Sequence, residues 1–542
     1  MNRKNLTAAV LAGLAGAAGI VGSAQAVNIN PDGLGQVLIY PYYTVNAGNQ
    51  TLLSVVNTTG NAKAVKVRFL EGLNTREVLD FNLYLSKYDV WTAAIYDDAG
   101  YPTMVTRDAT CTVPYIYSFN NLASGVGGKQ KFLTFALDDG GGSNVERTSE
   151  GHFEMIEMGT LLNEQDDQDD VLPAGSAWAA THSGGIPNDC QQLVDAWTEA
   201  PNPANDGYWI MDPFIDLTAP SGGLFGGAAI VNPAAGAMYS YDPKAINNFA
   251  TTVAAFDDLH QEPGRVLPSL NSGDVTDASV FLDDGTILNS VGLTRGVDAI
   301  SFVFMHDQIM NEYTTEAVVG AGTEWVVTFP TKHFYVYTPS SGQFLPRDPF
   351  TTKWFWDTSD PDPSKWTLTL PCEVILIDGL YDREERTIVP EDGTPIPPVV
   401  SPAPKPTPDS LPFFELCYET NIIRFGAEAD VVETTEILGS SNFHNIDHET
   451  DLNFEFGWAR LELDDYPYDE NGNGNIDANE SMFSRGNLGG IEGLPVVGFA
   501  VMRFLNESAG DGNKLATYGG IFSHKATRKP GSGLAVPPAH FP

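Results

Sequence analysis

The chain has 542 residues, with 29 Lys and Arg against 70 Asp and Glu and a formal charge of −41. Charge of this sign repels phosphate backbones and excludes nucleic acid as a partner. Hydrophobic residues at 42% and aromatics at 11% exclude a disordered acidic chain and predict a large core.

Residues 1–26 read as an export signal. Arg3 and Lys4 precede an apolar stretch from Leu6 to Val21, and Ala24-Gln25-Ala26 has the small-x-small form of a cleavage site. Removing Arg3 and Lys4 with the signal takes the charge from −41 to −43. Residue 27 is Val rather than Cys, so no lipoprotein anchor is indicated. No later stretch is apolar for long enough to span a membrane as a helix. The expected location is extracellular or cell-surface, with the periplasm as the other exported compartment.

The mature chain opens with strands. Residues 36–45 and 50–58 are apolar runs, and 62–70 alternate, with Val65, Val67 and Phe69 on one face and Lys66 and Arg68 on the other. Phe81, Leu83 and Leu85 continue the pattern. Gly, Asn and Asp punctuate these runs as turns do. The predicted fold class is mainly β: antiparallel, Ig-like sandwiches with few short helices. An N-terminal sandwich is expected over 27–175, then a β-rich middle region over 176–389. Strands are predicted over roughly 115–389 at 133–137, 228–231, 301–305, 325–329 and 373–377. One helix is predicted after Asn188 or Asp189, with Cys190, Leu193, Val194 and Trp197 on one face. The charge run at 163–170 reads as a solvated loop.

Residues 390–412 are Pro-rich, a linker or an excursion between two paired strands at 373–377 and 420–425. The C-terminal β region, 413–542, carries strand patterns at 455–463, 493–505 and 515–524. The four cysteines permit three connectivities. Pairing sequence neighbours, Cys111 with Cys190 and Cys372 with Cys417, closes the smaller loops and is preferred.

Residues 469–480 read Asp-Glu-Asn-Gly-Asn-Gly-Asn-Ile-Asp-Ala-Asn-Glu. The spacing resembles the calcium loop of EF-hand and dockerin proteins. Asp469, Asn471, Asn473, Asn475 (through its carbonyl), Asp477 and Glu480 fall on the ligand positions, and Gly474 on the sharp turn. Calcium takes hard oxygens, and alternate residues of a curled loop supply them. Pro467 before the loop and Gly486 after it break any flanking helices. An isolated Ca2+ loop between strands is therefore expected, followed by at most one short turn over 481–485.

Other chemistry is thinner. His444 and His448 are four apart, but in a stretch that reads as a loop. His306-Asp307 lacks a partnered nucleophile. Carboxylate pairs at Asp138-Asp139, Glu154/Glu157 and Asp283-Asp284 are too common in this chain to single out a glycosidase pair. Asp-Asp-Gly at 138–140 and 283–285 reads as hairpin turns.

The stretch from Thr51 to Gly72 and the later GWARLEL and GLPVVGFAVMRF segments resemble β-sandwich modules of secreted bacterial proteins. The whole chain is similar to uncharacterised exported Gram-negative cell-surface proteins. That resemblance implies location and fold only. Under it, 52–69 and 458–504 would share one discontinuous sandwich. The expected function is structural or adhesive, without catalysis, stabilised by calcium and disulfides. Expected partners are other surface proteins or envelope polysaccharide. The alternatives are a secreted polysaccharide hydrolase and an outer-membrane β-barrel, the latter weakened by 36 prolines.

Overall fold

The computed structural model describes residues 26–116, 128–139, 141–162, 175–254, 259–336, 348–351, 355–357, 367–369, 371–382, 413–426, 432–447, 455–467, 482–484, 486–506 and 516–531. The Pro-rich segment 390–412 and the charge run 163–170 lie outside these residues.

The early strands form where alternation places them. They are β1 (Asn28–Ile29), β2 (Val37–Thr44), β3 (Gln50–Asn57), β4 (Lys63–Glu71), β5 (Glu77–Leu85), β6 (Val90–Asp97), β7 (Pro102–Thr106), β8 (Cys111–Val113), β9 (Gly128–Lys131) and β10 (Glu150–Leu161). Three later strands join them: β11 (Leu224–Asn232), β12 (Ala237–Tyr241) and β13 (Lys244–Asn247). One sheet runs β1-β13-β2-β10-β4-β5-β8, with Leu217–Thr218 also paired to β10. The facing sheet runs β12-β11-β3-β6-β7-β9. This first sandwich draws strands from both sides of residue 175, the boundary expected from sequence, and runs to Asn247.

A second pair of sheets follows. Its strands are β14 (Gln308–Thr314), β15 (Ala321–Thr328), β16 (Glu373–Asp382), β17 (Phe413–Leu416), β18 (Thr420–Gly426), β19 (Phe443–Asp447), β20 (Phe456–Glu462), β21 (Asp465–Pro467), β22 (Met482–Ser484), β23 (Val497–Asn506), β24 (Ala516–Ser523) and β25 (Lys525–Thr527). One sheet runs β17-β16-β20-β14-β25 and the other β19-β18-β15-β23-β24. Pairing is antiparallel except between β18 and β19. Strands β21 and β22 form a separate hairpin.

Core packing follows from the period of two. In the first sandwich Leu38, Val67, Phe69, Phe81 and Met155 meet Leu53, Val55, Trp91 and Ile230 across the sheets. Tyr40 and Phe69 both stack on Phe153, with centroids 4.1 and 5.1 Å apart. The sheet containing β15 is covered on both faces. Val326, Ile422, Phe499 and Val501 enter the first core. Trp325, Val327, Ile423 and Ala500, from the alternate positions, enter the second beside Ile309, Ile375 and Leu461.

The second face of β4 corrects a sequence expectation. Lys66 and Arg68 are buried rather than solvated, because the segment 261–264 lies over that face, and Lys63, on the Val65 face, is buried as well. Buried charge requires partners. Lys63 Nζ lies 2.7 Å from Glu157, which also accepts from the backbone N–H groups of Ser221 and Gly222 at 2.9 and 2.7 Å. Lys66 pairs with Asp80, and Arg68 with Glu77 and Glu154. Nearby, Arg147 chelates two carboxylates, Glu71 at 2.9 and 3.0 Å and Asp139 at 2.6 and 2.7 Å.

Helix α1 (Cys190–Asp195) forms as predicted, with Asp189 accepting from Gln192 N at 3.2 Å as its cap. Residues 301–304 are not a strand but the end of helix α2 (Gly296–Phe304), whose every residue is buried, and Met305 opens the two-residue strand Met305–His306. Asp298 starts this helix by accepting from Arg295 N. A short apolar run does not distinguish a buried strand from a buried helix. Residues 133–137 form turns, and 228–231 lie in β11, 325–328 in β15 and 373–377 in β16. Among the described residues the helices number five and are short.

Both preferred disulfides are present, Cys111–Cys190 and Cys372–Cys417. The Pro-rich segment leaves from β16 and returns to β17, its antiparallel neighbour. The segment 420–425, expected beside 373–377, instead lies in β18 of the opposite sheet. The segments 52–69 and 458–504 also do not build one sandwich. The first supplies β3 and β4, while the second supplies β20 and β23 of the second sheet pair.

Candidate metal centre

The predicted calcium ligands Asp469, Asn471, Asn473, Asn475, Asp477 and Glu480 lie outside the described residues. Their flanks are described. Chain enters the loop from β21 and leaves it into β22, with Pro467 opposite Met482, Tyr466 opposite Phe483 and Asp465 opposite Ser484. The expected turn after the loop is replaced by strand β22. Paired strands hold opposed Cα atoms about 5 Å apart. The pairing holds the two ends of the intervening sequence together, which lowers the entropy cost of closing it.

Sequence reasoning stopped at Asp469 and missed what precedes it. Glu462 ends β20, and Asp464 and Asp465 lead into β21. One carboxylate oxygen from each of these three residues lies within 4.8 Å of the other two. Lys529 Nζ reaches Asp464 at 2.7 Å and Glu492 at 3.1 Å. The sequence sign was the acidic run in LELDD, at a strand end where alternation no longer sorts side chains to opposite faces.

The other candidates have structural work. Glu154 and Glu157 pair with Arg68 and Lys63, and Asp139 with Arg147. Asp283 and Asp284 belong to the turn between the strands Ser279–Phe281 and Ile287–Asn289, where Gly285 has φ of 80° and Asp284 accepts from Thr286 N at 2.8 Å. Asp138 and Asp139 do not form such a hairpin. His306 Nδ1 lies 3.3 Å from Thr527 O, and burial lowers its pKa well below the usual range. His444 sits in strand β19, not in a loop, and stacks on Phe414 at 4.2 Å. His448 lies outside the described residues.

A pocket of about 420 Å³ is walled by Trp197, Trp209, Ile210, Pro213, His260 and Leu267. Its histidine is held in a chain of hydrogen bonds. Trp197 Nε1 donates to Tyr84 Oη at 2.8 Å, Tyr84 lies 3.2 Å from His260 Nε2, and His260 Nδ1 lies 2.8 Å from Pro213 O. These contacts are all satisfied when His260 is neutral and protonated on Nδ1. Burial pushes its pKa down to about 4. His260 therefore ties Pro213 to Tyr84 of β5, with both ring nitrogens engaged.

An open antiparallel β protein with doubly covered sheets, two disulfides and a hairpin-mounted acidic loop is the class that fold and site define. Comparison with protein-family models, with curated proteins and with solved structures finds no match for this chain. No helix among the described residues is long and apolar enough to cross a membrane.

Proposed function

We propose that this is an exported protein of the cell surface or extracellular space, structural or adhesive in role, whose acidic hairpin loop is ordered by calcium. The hairpin stem carries this reading. Pro467 and Met482 are register partners on either side of a sequence with oxygen donors at every ligand position of a calcium loop. The two disulfides suit an oxidising, exported compartment. The loop holds Asp469, Glu470, Asp477 and Glu480, and a divalent cation offsets their mutual repulsion. Partners of such a surface are other envelope proteins or envelope polysaccharide.

Calcium removal tests the loop. Extracellular calcium modules bind with Kd of about 10⁻⁴–10⁻³ M. At 10 mM calcium a Kd of about 10⁻⁴ M stabilises the folded state by about 2.7 kcal/mol. EGTA is expected to lower the melting temperature by several degrees, and Glu480→Gln to remove that sensitivity. Identical melting curves with calcium and with EGTA would overturn the reading.

The export reading has its own check. Val27 is fully buried, and its N–H donates to Asp277 O at 2.8 Å. N-terminal sequencing of protein from the native cell is expected to begin Val-Asn-Ile. Recovery of a chain that retains Arg3 and Lys4 would count against cleavage and export.

A further inference from the structure

Three lysines among the described residues are sealed from solvent: Lys63, Lys66 and Lys332. A buried ammonium needs acceptors for its three protons. Lys63 has Glu157 and the Ser221 hydroxyl, at 2.7 and 2.8 Å. Lys332 has the carbonyls of Leu416, Cys417 and Tyr418, at 3.3, 3.1 and 3.4 Å. Lys66 donates to one atom, Oδ2 of Asp80. Its side chain is 0% exposed and that of Asp80 9%. Burial lowers the Lys66 pKa against the pull of Asp80, and the charge of Arg68 acts in the same direction as burial. The acceptor is arranged unevenly. Both hydrogen bonds to the Asp80 carboxylate fall on Oδ2, from Lys66 Nζ and from Gly264 N–H at 2.8 Å, and Oδ1 accepts none from the described residues. In the register of β4 and β5, Lys66 lies opposite Asn82 and Arg68 opposite Asp80, so Lys66 and Asp80 meet on the diagonal of one sheet face.

We propose that Lys66 and Asp80 condense to an intramolecular amide that links β4 to β5. Lys66 Nζ attacks Cγ of Asp80, the N–C bond forms and the Cγ–Oδ1 bond breaks. Two of the three ammonium protons leave with Oδ1 as one water, the third stays on the amide nitrogen, and no oxidant or reductant is needed. The attacking form is the neutral amine, which burial favours. Gly264 N–H holds the charge that gathers on Oδ2 during attack. Glu77, paired with Arg68 Nε at 2.7 Å and raised in pKa by burial, is the acid at hand to pass protons from the nitrogen to Oδ1. The product replaces two buried charges with a neutral amide and so removes their desolvation cost. The same burial keeps out the water that would hydrolyse it.

Mass spectrometry of the full chain, purified from an exporting host in its oxidised form, tests the bond. The intact mass is expected to fall one water short of the exported sequence with its two disulfides. Trypsin does not cut after an amidated lysine, so it is expected to release residues 64–68 joined to 77–87. Fragmentation of that product is expected to place the bond between Lys66 and Asp80. Lys66→Met and Asp80→Ala are expected to show the full mass. The wild-type digest decides the matter even where these variants do not fold. Separate 64–66 and 77–87 peptides from the folded wild type overturn the proposal. A joined product whose bond lies at Asn82, with ammonia lost in place of water, overturns it too. So does a water deficit confined to 77–87, the mark of a cyclised Asp80, or one that persists in Lys66→Met.

Discussion

Arg147→Met is expected to cost about 3–5 kcal/mol of stability at neutral pH, the usual range for stranding one side of a buried ion pair. Arg147 is 2% exposed in its side chain, and its carboxylate partners Glu71 and Asp139 are 0% and 1% exposed. The guanidinium engages both in forked geometry, the strongest arrangement open to it. Glu71 also accepts from the backbone N–H groups of Leu73, Asn74 and Arg76 at 2.9, 3.1 and 3.0 Å, so one network fixes the turn between β4 and β5. Burial acts to raise the Asp139 pKa, but the hydrogen bonds and charge of Arg147 outweigh it and hold the group below its usual value.

The sign of the pH effect follows. A carboxyl depressed in the folded state contributes stability above its unfolded pKa of about 3.9 and loses it as pH falls through the lower folded value. In Arg147→Met the main attraction is gone, Arg76 at 3.5 Å being the cation left, and burial acts to raise that pKa. Acid then relieves the variant by protonating Asp139. Urea unfolding should show the deficit shrinking from pH 7 to pH 4. A deficit constant over that range would mean that packing, not charge, is lost.

Removing the Cys111–Cys190 bridge by paired Ser substitutions is the second large expected loss, about 4 kcal/mol from chain entropy. The bridge spans 79 residues and ties the first residue of α1 to edge strand β8. The Cys372–Cys417 bridge spans 45 residues, and closure entropy grows only with the logarithm of length. Its removal is expected to cost slightly less. Trp197 and Trp209 flank His260 behind the first bridge, at 4.9 and 4.6 Å. Tryptophan fluorescence should therefore shift in Cys111→Ser/Cys190→Ser and not in Cys372→Ser/Cys417→Ser. The reverse order of midpoints in urea would contradict this account.

Much of the strand content was legible because alternation is written directly in segments such as 62–70. What covers each face was not. Lys66 and Arg68 alternate with Val65 and Val67 as surface residues do, yet the chain returns two hundred residues later to bury them. Periodicity reports that two faces differ, and only tertiary structure reports whether the polar one meets water. The helix at 296–304 was hidden for a related reason: an element buried all round carries no period. The resemblance of 469–480 to a calcium loop was visible because such a motif is written within twelve residues. The Glu462, Asp464 and Asp465 cluster was not, because it depends on the direction the chain takes after β20 ends.

The sheet built on β15 has a mechanical consequence. Its alternate side chains are gripped by two different cores. Residues 28–247 therefore lack part of their interior when expressed alone, and residues 308–527 would expose Val326, Ile422, Phe499 and Val501 to water. Tension applied between the two halves is carried by this common wall rather than by a flexible tether. Such a chain yields as one unit or holds as one.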